Sequence, residues 1–186
     1  MRYLNKIIFI NSAAIRYSEV QLDGNIHLIG TQGVGKSTIL RAILFFYNAD
    51  TQKLGIPIEK KSYPDYYFPY ADSSIIYEVV REDGIFTVLS YKTMNRICFR
   101  FISSPYRPEL FIDENGEPYT SDRIRSVLDK NGVSYSGAIS TYEEYRNILY
   151  GNSENKRDYS GYSLMESASY QNIVRTIQNV LLNSRL

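Results

Sequence analysis

Tryptophan is absent from this 186-residue chain, and cysteine and histidine occur once each. A single cysteine excludes an internal disulfide and suits a reducing compartment, so a cytoplasmic location is expected. His27 and Cys98 have no metal-ligand company in the sequence, which speaks against a zinc site. His27 alternates with apolar neighbours on an expected strand, and Cys98 sits in "RICFRFI"; both read as structural. An excess of one charge sign is also lacking: 21 basic residues face 20 acidic ones, for a net charge of +1. No global field therefore favours nucleic acid or a membrane surface, and any basic site must be local. Long apolar runs are missing too. "IIFI" near the N-terminus is broken by Asn11 and Ser12, too short for a signal peptide or a membrane span. What the chain does have is a 44% apolar share, enough for a sizeable core, and 18 tyrosines, which pack and still reach water. The length fits one domain.

Element signals run along the whole chain. "KIIFINSAAI" predicts a first strand, and "EVQLDGNIHLIG" two short strands about an Asp23-Gly24 turn. "GVGKSTILRAILFFYN" predicts a helix apolar on most sides, hence buried. Residues 48–72 look irregular, with prolines at 57, 64 and 69, and pack tyrosines around them in "YPDYYFPY". "SSIIYEVV" and "IFTVLSYK" about "REDG" predict an antiparallel hairpin, "RICFRFIS" a further strand, and "ELFID-ENG-EPYT" a hairpin on Asn115-Gly116. The second half turns helical. Ser121 is the expected cap of "DRIRSVLDK", which Asn131-Gly132 ends. Thr141 and Glu144 form a capping-box pattern for a helix that closes on Gly151. "GNSENKRDYSGYS" reads as a polar loop. The last segment places Ile173, Val174, Ile177, Val180 and Leu181 on one helical face. There is no internal repeat.

One motif carries chemistry. Gly30-Thr31-Gln32-Gly33-Val34-Gly35-Lys36-Ser37 matches G-x-x-x-x-G-K-[ST] at every position, between an apolar strand and a helix. Glycines let the backbone fold tightly, so that successive N–H groups face phosphate oxygens. The start of the following helix adds its positive dipole end. Lys36 is the expected charge partner of the β- and γ-phosphates, and Ser37 the expected hydroxyl ligand of Mg²⁺. Thr38 fits an α-phosphate contact or helix surface better than a metal ligand. The cofactors implied are ATP and Mg²⁺.

A phosphate cradle alone does not hydrolyse. A second carboxylate must hold the metal through water, and a base must position the nucleophile. The only local match is "ELFIDE", whose Asp113 and Glu114 are the catalytic candidates; the following Asn115-Gly116 favours a hairpin end instead. No "LSGGQ"-like signature is present. Arg96, Arg100, Arg123 and Arg125 are the only candidates for a local basic cluster. Lys60-Lys61 reads as a solvated pair.

The order of these features resembles the start of SMC-type ATPase heads, shared with RecF, RecN and MukB: a strand, an "NF[KR]S" turn, a strand, then "GxNGxGKSxxxxAI". Here Arg16-Tyr17-Ser18 falls on the turn and Ala42-Ile43 on the "AI". The strands from 73 to 113 resemble the antiparallel β-subdomain of such heads. The similarity extends to the SMC-like subunits of bacterial defence systems of the Wadjet kind. It implies an α/β fold with α+β elements, a P-loop NTPase of ABC/SMC-head type: a P-loop core over 1–50, an antiparallel β-subdomain over 73–120 and a helical part over 121–186. It adds Arg16 to the nucleotide-binding candidates Gly30 to Thr38. Two positions depart from the pattern: Gln32 replaces the usual Asn, and Ala138-Ile139-Ser140-Thr141 stands where a Q-loop glutamine is expected.

In such proteins the C-terminal half-head supplies the signature and the Asp-Glu pair, across a coiled coil. The resemblance thus implies an ATP-binding half-head within 1–186, completed by a C-terminal half-head, forming a head-to-head homodimer with ATP and acting on DNA. The final helix would lead toward the coiled coil, and little ATPase activity is expected from this chain alone. A self-contained P-loop NTPase or small kinase, with Asp113 as its acid, is the alternative. A nucleotide-dependent interaction module without catalysis is the third.

Overall fold

The computed structural model describes residues 2–22, 35–48, 50, 54, 56, 61–164 and 167–183. They form a mixed α/β structure around one five-stranded sheet, every neighbouring pair antiparallel, in the order β2-β1-β3-β4-β5. The strands are β1 (Tyr3–Ser12), β2 (Ile15–Gln21), β3 (Ser74–Arg81), β4 (Gly84–Thr93) and β5 (Arg96–Ile102). The helices are α1 (Lys36–Asn48), α2 (Tyr63–Tyr67), α3 (Ser121–Lys130), α4 (Tyr142–Leu149), α5 (Lys156–Tyr159) and α6 (Ser167–Asn183).

The central part of the sheet is covered on both faces, which explains why β3, β4 and β5 bury most residues on both sides, while the edge strand β2 is largely exposed. Side chains alternate by strand period. Ile7, Phe9, Ile75, Tyr77, Val79, Val88, Phe99 and Phe101 join the larger core, with α1, α4 and α6. Ile8, Ile10, Ile76, Leu89, Cys98 and Ile102 join a second cluster with Tyr106, Phe111 and the α3 residues Ile124 and Leu128. Cys98 is therefore a buried core residue, as its setting suggests. Glu78, 4% exposed, and Arg100, 6% exposed, are buried charges on this second face. The Glu78 carboxylate accepts from Asn5 Nδ2 and from the Tyr106 backbone N–H, both at 2.7 Å, while Lys6 Nζ stands 4.0 Å away.

The buried helix, the hairpin about residues 81–84 and the strand after it occur where the residue patterns put them. Thr141 Oγ1 accepts from the Glu144 N–H at 3.2 Å, and Gly151, at φ 70°, follows the end of α4. In α6, Ile177 and Leu181 are buried, and Ile173, Val174 and Val180 pack against the same core.

Other expectations need correction. Arg16-Tyr17-Ser18 does not form a turn: it lies in β2, paired with β1, and the turn is at Ala13-Ala14. Ser121 is the first residue of α3, not its cap; Thr120 occupies that position without a side-chain cap bond. The irregular 48–72 stretch contains α2, because Ser62 caps it and Tyr63 and Tyr67 turn inward. The polar loop after Gly151 holds α5 and a 3₁₀ turn, because Tyr162 stacks on Phe101 at 5.1 Å. The Asn115-Gly116 hairpin shrinks to one bridge, Ile112 to Pro118, since Pro108–Leu110 is a 3₁₀ turn rather than a strand. Asp23 to Val34 lie outside the described residues, and with them the Asp23-Gly24 turn, the strand over 25–29 and His27.

Tyrosine hydroxyls join the helical layer together. Tyr145 and Tyr150 donate to the Phe46 and Tyr47 carbonyls of α1. Tyr77 donates to the Ala42 carbonyl at 2.9 Å. Tyr145→Phe should leave a buried carbonyl without its donor and cost about 1–3 kcal/mol, read as a lower denaturant midpoint at unchanged m-value. Burial pushes the Tyr63, Tyr77 and Tyr145 hydroxyls well above their ordinary value of 10.0. Their folded values lie above the unfolded ones, so this stability is complete below that value and lost as pH rises past it. Alkaline titration should show the exposed tyrosines ionising first and a later rise in tyrosinate absorbance coinciding with loss of helical signal; buried tyrosines that titrate before unfolding would contradict this packing.

Candidate phosphate-binding site

The candidate site is the start of α1. Of the motif residues, Gly35, Lys36, Ser37 and Thr38 are described, while Gly30, Thr31, Gln32, Gly33 and Val34 lie outside the described residues. The Gly35 carbonyl accepts from the Ile39 N–H at 3.2 Å, closing the first bond of the helix. Gly35 and Lys36 are exposed, and Ser37 and Thr38 half-buried. The first turn of α1 holds no acidic residue, so nothing on the helix itself offsets its positive end. Among the described residues, a Cβ built on Gly35 would meet only Thr38 Oγ1, at 3.9 Å. An ammonium, a hydroxyl and a glycine suit a phosphate with a hard cation.

The chain anchors α1 from its other end. Ile39, Leu40, Ile43, Leu44, Phe45 and Phe46 are buried against the sheet, and α6 packs along the helix. Phe45 stacks on Phe99 of β5 with centroids 5.5 Å apart. This fixes the direction in which the first turn points.

The remaining candidates are not gathered here. Arg16, on β2, faces Glu117 at 3.8 Å, with its side chain 81% exposed. It lines a cleft of about 700 Å³ together with Asn11, Tyr70, Asp72 and Thr120, whereas Thr38 lines a different one. Asp113 Oδ1 accepts from the Asn115 and Glu117 N–H groups, each at 2.8 Å, and Glu114 is an exposed turn residue. The Asp113 carboxylate thus organises its own turn, and the side-chain bond replaces the longer strand ladder. Arg100 is buried at 6% exposure, with its guanidinium over the Tyr135 ring and donating to the Ser136 carbonyl. Arg123 lies over Tyr119, and Arg96 donates to the Ser140 carbonyl. Arg100 is therefore not part of a basic surface.

Sequence reasoning did not single out Arg41 or Tyr66; with Lys61, which is exposed as its reading as a solvated residue expects, they share a cleft with Thr38. Arg41 lies three residues after Thr38, a spacing that was available as a signal. Tyr66 gave none, since nothing in "YPDYYFPY" marks which ring stays outside. Among the described residues no group of three or more His, Cys, Asp or Glu side chains is placed to hold a metal, and no helix is long and apolar enough to cross a membrane.

The chain belongs to the family DUF3584, described as a protein of unknown function, whose model matches residues 10–174. No curated protein matches the chain.

Asp113→Ala should destabilise the fold by about 1–2 kcal/mol through the lost turn bonds. Asp113→Asn, which keeps an acceptor oxygen, should change denaturant stability much less. Equal losses for the two variants would show that the turn bonds are not what holds Asp113.

Proposed function

We propose that this chain is the ATP-binding N-terminal part of an SMC-like P-loop ATPase, in which ATP binding and hydrolysis are coupled to DNA tethering, repair or defence. The observation that carries the reading is the G-x-x-x-x-G-K-S run, with its Lys36 and Ser37 on the first turn of a helix anchored at its far end. Membership of DUF3584 supports it, since that family is associated with RecF/RecN/SMC-like proteins. The antiparallel β3–β4–β5 segment supports it as well, being of the kind expected for the β-subdomain of such heads.

In this reading Lys36 gives its ammonium to the β- and γ-phosphates and Ser37 its hydroxyl to Mg²⁺. Gly35, without a side chain, would let phosphate oxygens approach the backbone N–H groups. Bound Mg-ATP supplies the cleavable phosphate bond and the bridging cation. The water-activating acid comes from a C-terminal half-head, in the same gene or a separate chain, and two heads meet around the nucleotide. A self-contained small NTPase or kinase is disfavoured by Asp113, whose carboxylate is held in its own turn.

Isothermal titration tests the reading. The chain should bind Mg-ATP and turn it over negligibly, and Lys36→Ala should weaken binding roughly 30-fold or more. Adding the C-terminal half-head should raise turnover. Steady hydrolysis by this chain alone, lost in Asp113→Asn, would overturn the half-head reading; unchanged binding in Lys36→Ala would overturn the site.

A further inference from the structure

A cleft of about 370 Å³ opens along the side of α1, lined by Thr38, Arg41, Ile56, Lys61, Tyr66 and Tyr67. Its size falls within the range of small-molecule sites, about 300–1,000 Å³. Two of its lining side chains are cationic donors with no acceptor capacity. Arg41 Nε is shielded from solvent and has no hydrogen-bond partner among the described residues. A shielded donor of this kind is costly unless something accepts from it.

The third feature is a flat one. Tyr66 is 45% exposed, while Tyr63 and Tyr67 are 1% exposed. The Tyr66 and Tyr67 rings meet edge to face, with centroids 5.0 Å apart at 89°. Tyr67 in turn packs on Tyr63 at 4.4 Å. Tyr66 is thus an exposed ring braced by two buried ones. The short helix that carries it is also tied down: Ser62 Oγ accepts from the Asp65 N–H at 3.4 Å, and Asp65 pairs with Lys92 of β4 at 3.7 Å.

A braced aromatic ring beside two donor-only cations suits a ligand with a planar π-face and several acceptor atoms. A purine nucleoside has both. We propose that this cleft holds the nucleoside half of the nucleotide, with Tyr66 as the stacking platform for the base and with Arg41 and Lys61 donating to acceptor atoms of base and ribose. The assignment rests on Lys36 and Ser37 holding the phosphates, because Thr38 links the two regions along one helix. Tyr66 binds the base and takes no part in phosphate contact.

Calorimetry with two probes, Mg-ATP and magnesium tripolyphosphate, separates the two halves of the ligand. Tyr66→Ala should lower ATP affinity about tenfold and leave tripolyphosphate affinity unchanged. Tyr66→Phe, which keeps the ring face, should bind ATP like the wild type. Lys36→Ala should lose both probes. Wild-type ATP affinity in Tyr66→Ala, or an equal loss of both probes in that variant, would overturn the proposal. A wild-type chain that binds neither probe would instead overturn the phosphate site itself, and the nucleoside assignment with it.

Discussion

The structure depends on how the buried end of α1 is satisfied. The last four carbonyls of any α-helix lack partners within the helix. α1 ends against the sheet, with Phe45 and Phe46 fully buried, so water is a poor substitute. Tyr145 and Tyr150, in and just after α4, supply hydroxyls to the Phe46 and Tyr47 carbonyls. Their helix is placed by β5: the Ile139 and Phe99 backbones exchange two hydrogen bonds, and the Tyr145 ring stacks on Phe99 at 3.9 Å. Sheet, α4 and α1 therefore fix one another. The first turn of α1, where Gly35 and Lys36 are exposed, is the opposite end.

The second face of the sheet follows a different rule. There Glu78 and Arg100 are buried charges; the Glu78 carboxylate gathers Asn5, Lys6 and the Tyr106 N–H instead of facing solvent. A buried carboxylate is tolerated when its oxygens are occupied, and removing one partner costs more than the pair contributes. The segment that carries Tyr106 and Phe111 is thereby held over β1 and β3, and α3 closes the cluster. β1 and β2 belong to the same sheet as β3, β4 and β5.

Local patterns in the sequence carried most elements. α1, the β3–β4 hairpin, β5, the Thr141 cap and the inward face of α6 each depend on periodicity or a cap within a few residues. What was not legible depends on contacts far apart in sequence. The Tyr145 hydroxyl meets a carbonyl 99 residues away, and no local rule pairs them. Arg16 to Ser18 matched a turn by resemblance, yet alternation with β1 drew them into a strand. Asp113 looked like an acid at a strand end because "ELFID" is apolar, but the strand does not form and the side chain closes a turn. At the candidate site, Lys36 and Ser37 were legible from the motif. The cleft beside them was not, since it is made by α2 folding back toward α1.

The excess of tyrosine gains a physical meaning from this arrangement. A phenol ring fills the core as phenylalanine does and brings one donor to a carbonyl that would otherwise be orphaned. α1 is held at its C-terminal end, and the proposed function requires its N-terminal turn to receive the phosphates of Mg-ATP. Hydrogen exchange of the backbone amides, with and without Mg-ATP, tests it most directly. Slowed exchange of the amides of residues 30–38 is expected on nucleotide addition, absent in Lys36→Ala, with the amides around residues 43–48 slow in both states. Nucleotide-dependent protection elsewhere with residues 30–38 unchanged, or fast exchange at residues 43–48 without nucleotide, would contradict it.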